Sequence, residues 1–329
     1  MRAVRVNEYG GPAVLQVQEL ETPKPAAGQA LVRLMNAGLN FVDIYQRRGT
    51  YGRKLPFTPG LEGAGVVEGV GEGVTNVKPG DRVAFTSQPG AYAEMIVVQA
   101  ESLIPLPDEF SFEQGAAFPL QGMTAHYLIH EFRLPKAGDV VLIHAAAGGM
   151  GLLLVQWARH LGARVIGTVS NEDKAKAARD AGASDVILYT KQDFVAEAKR
   201  LTNGLGADLI VDGVGKTTFA GNLEAAALRG HIVIFGAASG PAEPIVPNSL
   251  MARSLSVSGG SLQNYLLTRD ELMRRAKDVM EGITAGWLRL RVDRVFPLEQ
   301  AAEAHRALEN RQTMGKVLLA TGNSAAAGQ

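Results

Sequence analysis

The sequence contains no cysteine. That single absence excludes disulfides, thiolate nucleophiles, cysteine-ligated zinc and iron–sulfur clusters. Nor is either charge in excess: 33 Lys and Arg stand against 33 Asp and Glu, for a formal net charge of zero, and no segment carries a block of one sign. Contacts to a phosphate backbone draw on Lys and Arg, so no nucleic-acid partner is expected. No apolar run reaches the ~18 residues of a membrane span, so no membrane partner is expected either. Met1-Arg-Ala-Val-Arg-Val6 opens like a strand rather than a signal peptide, and the reading is a soluble, cytoplasmic protein. Present instead are 329 residues, 46% of them hydrophobic, ample for two packed cores. Ser324-Ala-Ala-Ala-Gly-Gln329 has the composition of a flexible tail, expected from about residue 322 onward.

Glycine and proline divide the chain. Up to about Gln121, short strands alternate with turns: Ala30 to Met35, Gly63 to Val70, Asp81 to Phe85 and Ala91 to Val98, with Pro79-Gly-Asp81 and Gly90 marking corners. This spacing predicts a twisted antiparallel β-domain over 1–122. From Pro135 to Ser258 strands alternate with helices: Val140 to His144, Arg164 to Val169, Asp185 to Tyr189, Asp208 to Asp212, His231 to Phe235 and Ser254 to Ser258 are the strands. Over 123–260 that is an α/β fold with a doubly wound parallel sheet. Asp270 to Ile283 and Leu298 to Asn310 have helical periodicity, and Lys316 to Ala320 returns to strand character. Residues 261–329 are too few to fold alone and are expected to complete the first domain. Two such domains would place a reaction in the cleft at the carboxyl ends of the strands.

The most specific local signal is Val140-Val-Leu-Ile-His-Ala-Ala-Ala-Gly-Gly-Met-Gly151, an apolar strand that breaks on a glycine-rich corner and resumes as a helix. Backbone amides at such a helix N-terminus suit a pyrophosphate, which assigns Ala147, Gly148, Gly149, Met150 and Gly151 to a dinucleotide. Ala146 departs from the motif, standing where the first glycine of Gly-x-Gly-x-x-Gly belongs. Roughly 20 residues further on the motif expects an acid for the ribose 2′-hydroxyl. Ser170 stands there, with Lys174 one turn beyond and Tyr189 at the end of the next strand, a set that suits a 2′-phosphate and therefore NADPH. Phe235 and Gly236 end the fifth strand at the same sheet edge and are assigned to the cofactor. His126 and His130 have a ligand-capable spacing, but the only further ligand nearby, Glu131, points off their face, and no metal site is assigned.

Gly38-Leu-Asn-Phe-Val-Asp-Ile-Tyr45, Pro59-Gly-Leu-Glu-Gly-Ala-Gly65, Val77-Lys-Pro-Gly-Asp-Arg-Val83, Pro119-Leu-Gln-Gly-Met-Thr-Ala125 and the Ala-Ala-Gly-Gly-Met-Gly loop together resemble the medium-chain dehydrogenase/reductase superfamily, and within it the zinc-free quinone oxidoreductases related to zeta-crystallin. The resemblance runs over nearly the whole chain and implies a GroES-like catalytic domain beside a Rossmann domain. Zinc-dependent members carry Cys and His where this chain has Asn40 and Leu61. Neither side chain replaces a thiolate or imidazole ligand. The resemblance further implies that Asn40 and Thr124 contact the nicotinamide, that Lys316 lies near the cofactor phosphates, and that relatives dimerise through the last strand of the nucleotide-binding sheet, here Ser254–Ser258. Tyr45 and Tyr51 are candidate proton donors or walls for a flat ring. Asp43 and Arg48 are assigned to a structural ion pair or rim charges.

Without zinc an alkoxide lacks stabilisation, and no Tyr-x-x-x-Lys pair follows any of the seven tyrosines. An electrophilic acceptor needs less help. The leading expectation is therefore hydride transfer from NADPH to a quinone. The alternatives are reduction of a conjugated carbon–carbon double bond in an enone or enoyl thioester, and a crystallin-like protein that holds NADPH without turnover. Double-bond reduction needs a proton delivered to carbon and would make a tyrosine acid essential, whereas a quinol oxygen can take its proton from water.

Overall fold

The computed structural model describes residues 1–322; the expected tail, Ser324–Gln329, lies outside the described residues. The chain forms two units. The first takes residues 1–120, 268–276 and those from 292 onward, the second residues 121–267 and 277–291.

In the first unit the strand Gln29–Leu39 shows how the sheet is built. Its residues alternate between buried and more exposed as far as Met35, and from Asn36 to Leu39 all are buried. The change follows from its neighbours. Its second half lies between Lys316–Ala320 and Glu62–Val70, with helix Phe112–Ala117 packed against it, so both faces lose water there. The full strand order is Val292–Pro297, Lys316–Ala320, Gln29–Leu39, Glu62–Val70, Arg82–Phe85, Ile104–Pro105, and Met95–Gln99 pairs with the first half of Gln29–Leu39. All of these pairings are antiparallel except Val292–Pro297 with Lys316–Ala320, which is parallel. Arg2–Val6 and Leu15–Glu19 form a separate antiparallel pair. Val4, Val32, Leu34, Phe85, Val98, Val317 and Leu319 meet in the core.

The second unit carries a six-stranded, all-parallel sheet. Its order is Asp185–Leu188, Arg164–Val169, Val140–Ile143, Ala207–Asp212, Ala226–Ile234, Ser256–Gly259. In chain order of its own strands that is 3-2-1-4-5-6, the dinucleotide-binding arrangement whose ligand crevice lies at the carboxyl end where the order reverses. Leu142, Ile166, Ile210 and Ile232 supply the core from four adjacent strands. Ser256–Gly259 pairs on one side, with Ala226–Ile234, and ends the sheet.

The segment beyond 260, expected to return to the first domain as one piece, is divided. Residues 277–291 join the second unit because Trp287 packs edge-on against Trp157 at 5.2 Å and stacks on His160 at 4.0 Å. These ring contacts, with Trp157 itself buried, hold the second half of the helix Arg269–Thr284 to the second unit, while its first half stays with the first unit.

Candidate active site

The strand Gln29–Leu39 delivers Gly38 and, one residue past its end, Asn40, which caps the helix Phe41–Arg48 with extended backbone (φ −137°, ψ 160°). The Asn40 amide N–H donates to Asp43 Oδ2 at 2.8 Å, closing the first turn. Asn40 Nδ2 donates to Glu62 Oε1 at 2.7 Å, and Lys316 Nζ donates to Asn40 Oδ1 at 2.9 Å and to the same Glu62 oxygen. The other Glu62 oxygen accepts the backbone N–H of Leu120 at 2.7 Å. This cluster lies inside its unit, with Asn40 4%, Glu62 0% and Lys316 3% exposed. Gly38 makes room for it: a Cβ there would lie 2.3 Å from Glu62 Oε1 and 2.5 Å from the Ala116 carbonyl. Lys316, expected near the cofactor phosphates, has its ammonium committed to Asn40 and Glu62.

A second buried chain runs from Asp43 towards the helix Ala301–Glu309. Tyr92 Oη lies 3.3 Å from Asp43 Oδ2 and 3.2 Å from His305 Nε2, and Arg47 Nη1 lies 3.0 Å from His305 Nδ1. A guanidinium can only donate, so His305 accepts at Nδ1 and carries its proton on Nε2. His305 then donates to Tyr92, which donates to Asp43. The chain has one direction and ends on the carboxylate. It cannot relay protons from solvent, because Arg47 occupies the nitrogen at which His305 would be recharged. Burial raises the Asp43 carboxyl to about 7, against the opposing pull of the Asn40 N–H and Lys316. Burial, with Arg47 beside it, lowers His305 to about 3. The sequence assigns Asp43, with Arg48, to a structural ion pair or rim charge. Asp43 is fully buried instead, with no partner for Oδ1 among the described residues, while Arg48 pairs with Glu309 at 2.8 Å. The three-residue offset from the helix cap turns Asp43 back onto its own N-terminus.

Phe41, Tyr45 and Tyr51 form an aromatic row, with ring centroids 6.3 Å apart for the first pair and 5.3 Å for the second. Tyr51 is 53% exposed. The row presents flat apolar faces with phenol hydroxyls at their edges.

In the second unit the loop after Val140–Ile143 leads into the helix Gly149–His160, whose N-cap is Gly148. The first bond along this helix is Leu152 N–H to Gly148 O, so the amides of Gly149, Met150 and Gly151 point out of its N-terminus. Gly151 is required by contact: a Cβ would lie 2.2 Å from the Ala145 carbonyl. The left-handed residue of the turn is Ala145 (φ +51°), which leaves Ala146 fully buried, its methyl against Gly167 of the neighbouring strand. The missing first glycine is thus answered across the sheet. Thr124 and Ala147 are buried, and Phe235 packs its ring over Gly213, with Gly236 following. The parallel register sets Leu188 beside Val169, and Tyr189 N–H donates to the Val169 carbonyl at 3.1 Å, so Tyr189 stands next to Ser170. Asn171 caps the following helix through the Lys174 N–H at 2.9 Å, placing Lys174 one turn from Ser170. Ser170 and Tyr189 therefore stand at the carboxyl ends of adjacent strands, with Lys174 in the first turn of the helix that follows Ser170.

His126 and His130, four residues apart, are stacked at 4.5 Å; His126 Nε2 lies 2.8 Å from Asp278, and His130 Nε2 accepts the Trp157 indole N–H at 3.1 Å. Among the described residues no group of three or more His, Asp or Glu is arranged to hold a metal ion.

Two family models match the chain: the alcohol dehydrogenase GroES-like domain over residues 26–108 and the zinc-binding dehydrogenase over residues 149–278. A quinone oxidoreductase of Pseudomonas aeruginosa is 40% identical, the match covering 97% of this chain and 99% of that one. The chain belongs to the quinone oxidoreductase family of the medium-chain dehydrogenase/reductase superfamily. A 2-haloacrylate reductase of a Burkholderia species is 41% identical over 96% of this chain and 98% of its own. The Escherichia coli quinone oxidoreductase complexed with NADPH superposes with a TM-score of 0.94 at 38% identity, covering 97% of this chain and 100% of that one. The GroES-like and Rossmann architecture expected from the motifs is the one this family has. What sequence reasoning left out of the site is Glu62, which binds both Asn40 and Lys316. Its one local signal is the small-residue run Gly60-Leu-Glu-Gly-Ala-Gly65, which carries a lone acid into a buried strand.

Proposed function

We propose that this chain is an NADPH-dependent quinone oxidoreductase that works without zinc as a cytoplasmic homodimer. The observation that carries the cofactor is the sheet edge at Ser170. The residues there fit NADPH: outward-facing amides at Gly149–Gly151 suit the pyrophosphate, no carboxylate stands at the end of the second strand, and Lys174 and Tyr189 flank Ser170 where a 2′-phosphate would sit. Thr124, Phe235 and Gly236 complete the cofactor set, and Asn40 orients the nicotinamide.

When bound, the nicotinamide supplies a hydride, and a quinone that takes it up together with one proton becomes the quinol. The chain's own work is orientation and a surface for the acceptor. Asn40 is held by Glu62 and Lys316, and the row Phe41, Tyr45, Tyr51 offers a wall for a flat ring. A quinol oxygen can take its proton from water, so Tyr45 and Tyr51 act as wall and neutral hydrogen-bond donors.

The 41% identity to a 2-haloacrylate reductase favours a second reading, hydride transfer to a conjugated carbon–carbon double bond. That reaction needs a proton at carbon and makes a tyrosine hydroxyl essential. NADPH oxidation measured with a small quinone and with a 2-haloacrylate, in wild type, Tyr45→Phe and Tyr51→Phe, separates the two. Quinone turnover that survives both substitutions is expected. Turnover of the haloacrylate alone, abolished by one substitution, would replace the first reading with the second. Tight NADPH binding with neither acceptor reduced would leave the non-catalytic binding protein.

A further inference from the structure

An asparagine amide has the same shape either way round, and only its hydrogen-bond partners decide which end faces a ligand. At Asn40 both ends are decided. Oδ1 accepts from the Lys316 ammonium, which can only donate, and Nδ2 donates to an oxygen of Glu62 that also accepts from Lys316. Turning the amide over would set N–H against N–H and oxygen against oxygen, with two charge-assisted bonds lost where there is no solvent to replace them. Glu62 is fixed in turn by the Leu120 N–H and by the space that Gly38 leaves for its carboxylate.

A buried ion pair is a costly way to stabilise a fold, and apolar side chains of similar size often serve as well or better. What this pair adds is orientation. We propose that Glu62 and Lys316 are positioning residues that lock the Asn40 amide one way round, so that the nicotinamide meets a defined donor side and acceptor side. The proposal rests on the reading of Asn40 as a nicotinamide contact, and it extends the site to two residues that act through Asn40.

Two readouts separate the clamp from that reading. In cofactor-free protein carrying 15N-asparagine, one Asn40 side-chain proton should resonate well downfield because of Glu62 and exchange slowly. Lys316→Met should move that signal and speed its exchange by about tenfold, the equivalent of one charge-assisted bond. Lys316→Arg should keep the wild-type pattern. Glu62→Gln, which preserves volume but removes the charge that Asn40 Nδ2 donates to, serves as the second variant should Lys316→Met fold poorly, and should shift the signal upfield and speed its exchange. In turnover, Lys316→Met should lower kcat at saturating NADPH by on the order of a hundredfold per folded molecule, with most of it recovered in Lys316→Arg. The double variant N40A/K316M should be no slower than N40A alone, since a residue that acts through Asn40 then has nothing to position. An Asn40 signal unchanged by both Lys316→Met and Glu62→Gln, or additive losses in the double variant, overturns the proposal. An amide that responds as expected in a wild-type protein that oxidises no NADPH keeps the clamp and overturns the nicotinamide reading.

Discussion

In the proposed reading, cofactor choice turns on Ser170. An acid at this place would accept from a 2′-hydroxyl and repel a 2′-phosphate, whereas a serine beside an ammonium and a phenol does the reverse. Register aligns Tyr189 with Ser170, and the Asn171 cap sets the backbone of Lys174 one turn away. The exposed acids Glu172 and Asp173 open the same helix and work against a phosphate, but Lys191 lies 4.0 Å from Glu172 and offsets part of that charge. Charge-assisted bonds to a phosphate are worth about 1.5–3 kcal/mol each, so Lys174→Ala should weaken NADPH binding roughly tenfold or more and leave NADH nearly untouched. Fluorescence titration with both nucleotides checks this, and equal losses for the two would remove Lys174 from the site. The places of Ser170 at the end of the second strand and of Lys174 one turn beyond it were legible from distance along the chain. Glu62 was not, because what identifies it is its contact with Asn40, 22 positions away, and with Lys316, 254 positions away.

Between elements, the helices Phe41–Arg48 and Ala301–Glu309 are joined through Arg47, His305, Tyr92 and Asp43, and this joint carries an unusual pH response. Asp43 is raised by burial from 3.8 to about 7, so between those values the folded protein holds a proton that the unfolded chain has released. Its contribution is present at low pH and is lost as pH rises towards 7. His305 is lowered by burial and Arg47 from 6.5 to about 3, so its contribution is present above 6.5 and is lost as pH falls towards 3. The two slopes oppose each other. Relative to wild type, Asp43→Asn should gain melting temperature as pH is raised from about 4 to 7, and His305→Gln should gain it as pH is lowered from about 6.5. Melts across that range that run parallel to wild type would show that neither group titrates as its burial implies. This joint was beyond sequence reasoning for a physical cause. Strand periodicity reveals which face of each element is buried, and it located five of the six strands of the parallel sheet to within two residues, the remaining one, Ala226–Ile234, starting five residues before the expected His231. It does not reveal which buried polar groups meet, since that depends on the register of segments far apart in the chain. The same limit explains residues 277–291, whose place is decided by Trp287 against Trp157 rather than by any break in the helix.

For the whole molecule, the family model that matches residues 149–278 is described as a zinc-binding dehydrogenase, yet this chain has no cysteine, and it has Asn40 and Leu61 where the zinc-dependent members place ligands. Purified protein should contain no stoichiometric zinc and keep full activity in chelator; one zinc per chain by elemental analysis, lost together with activity, would refute that. Assembly is the larger question. Ser256–Gly259 ends the parallel sheet, its other edge unpaired among the described residues, with Leu255 and Val257 half-buried on either side of the exposed Ser256. Val246 and Met251, at 70% and 73% exposed, lie in the segment leading into it. An open strand beside apolar side chains invites a partner, and a two-fold mate pairing edge to edge would cover both at once and extend the sheet across two subunits. The expected state is therefore a homodimer through this strand. Val257→Pro stiffens the edge and removes a backbone donor, and it should yield monomer or insoluble protein. Sedimentation of the native protein decides the matter: a dimer at micromolar concentration that Val257→Pro dissociates supports the edge-to-edge assembly, and a native monomer at the same concentration overturns it.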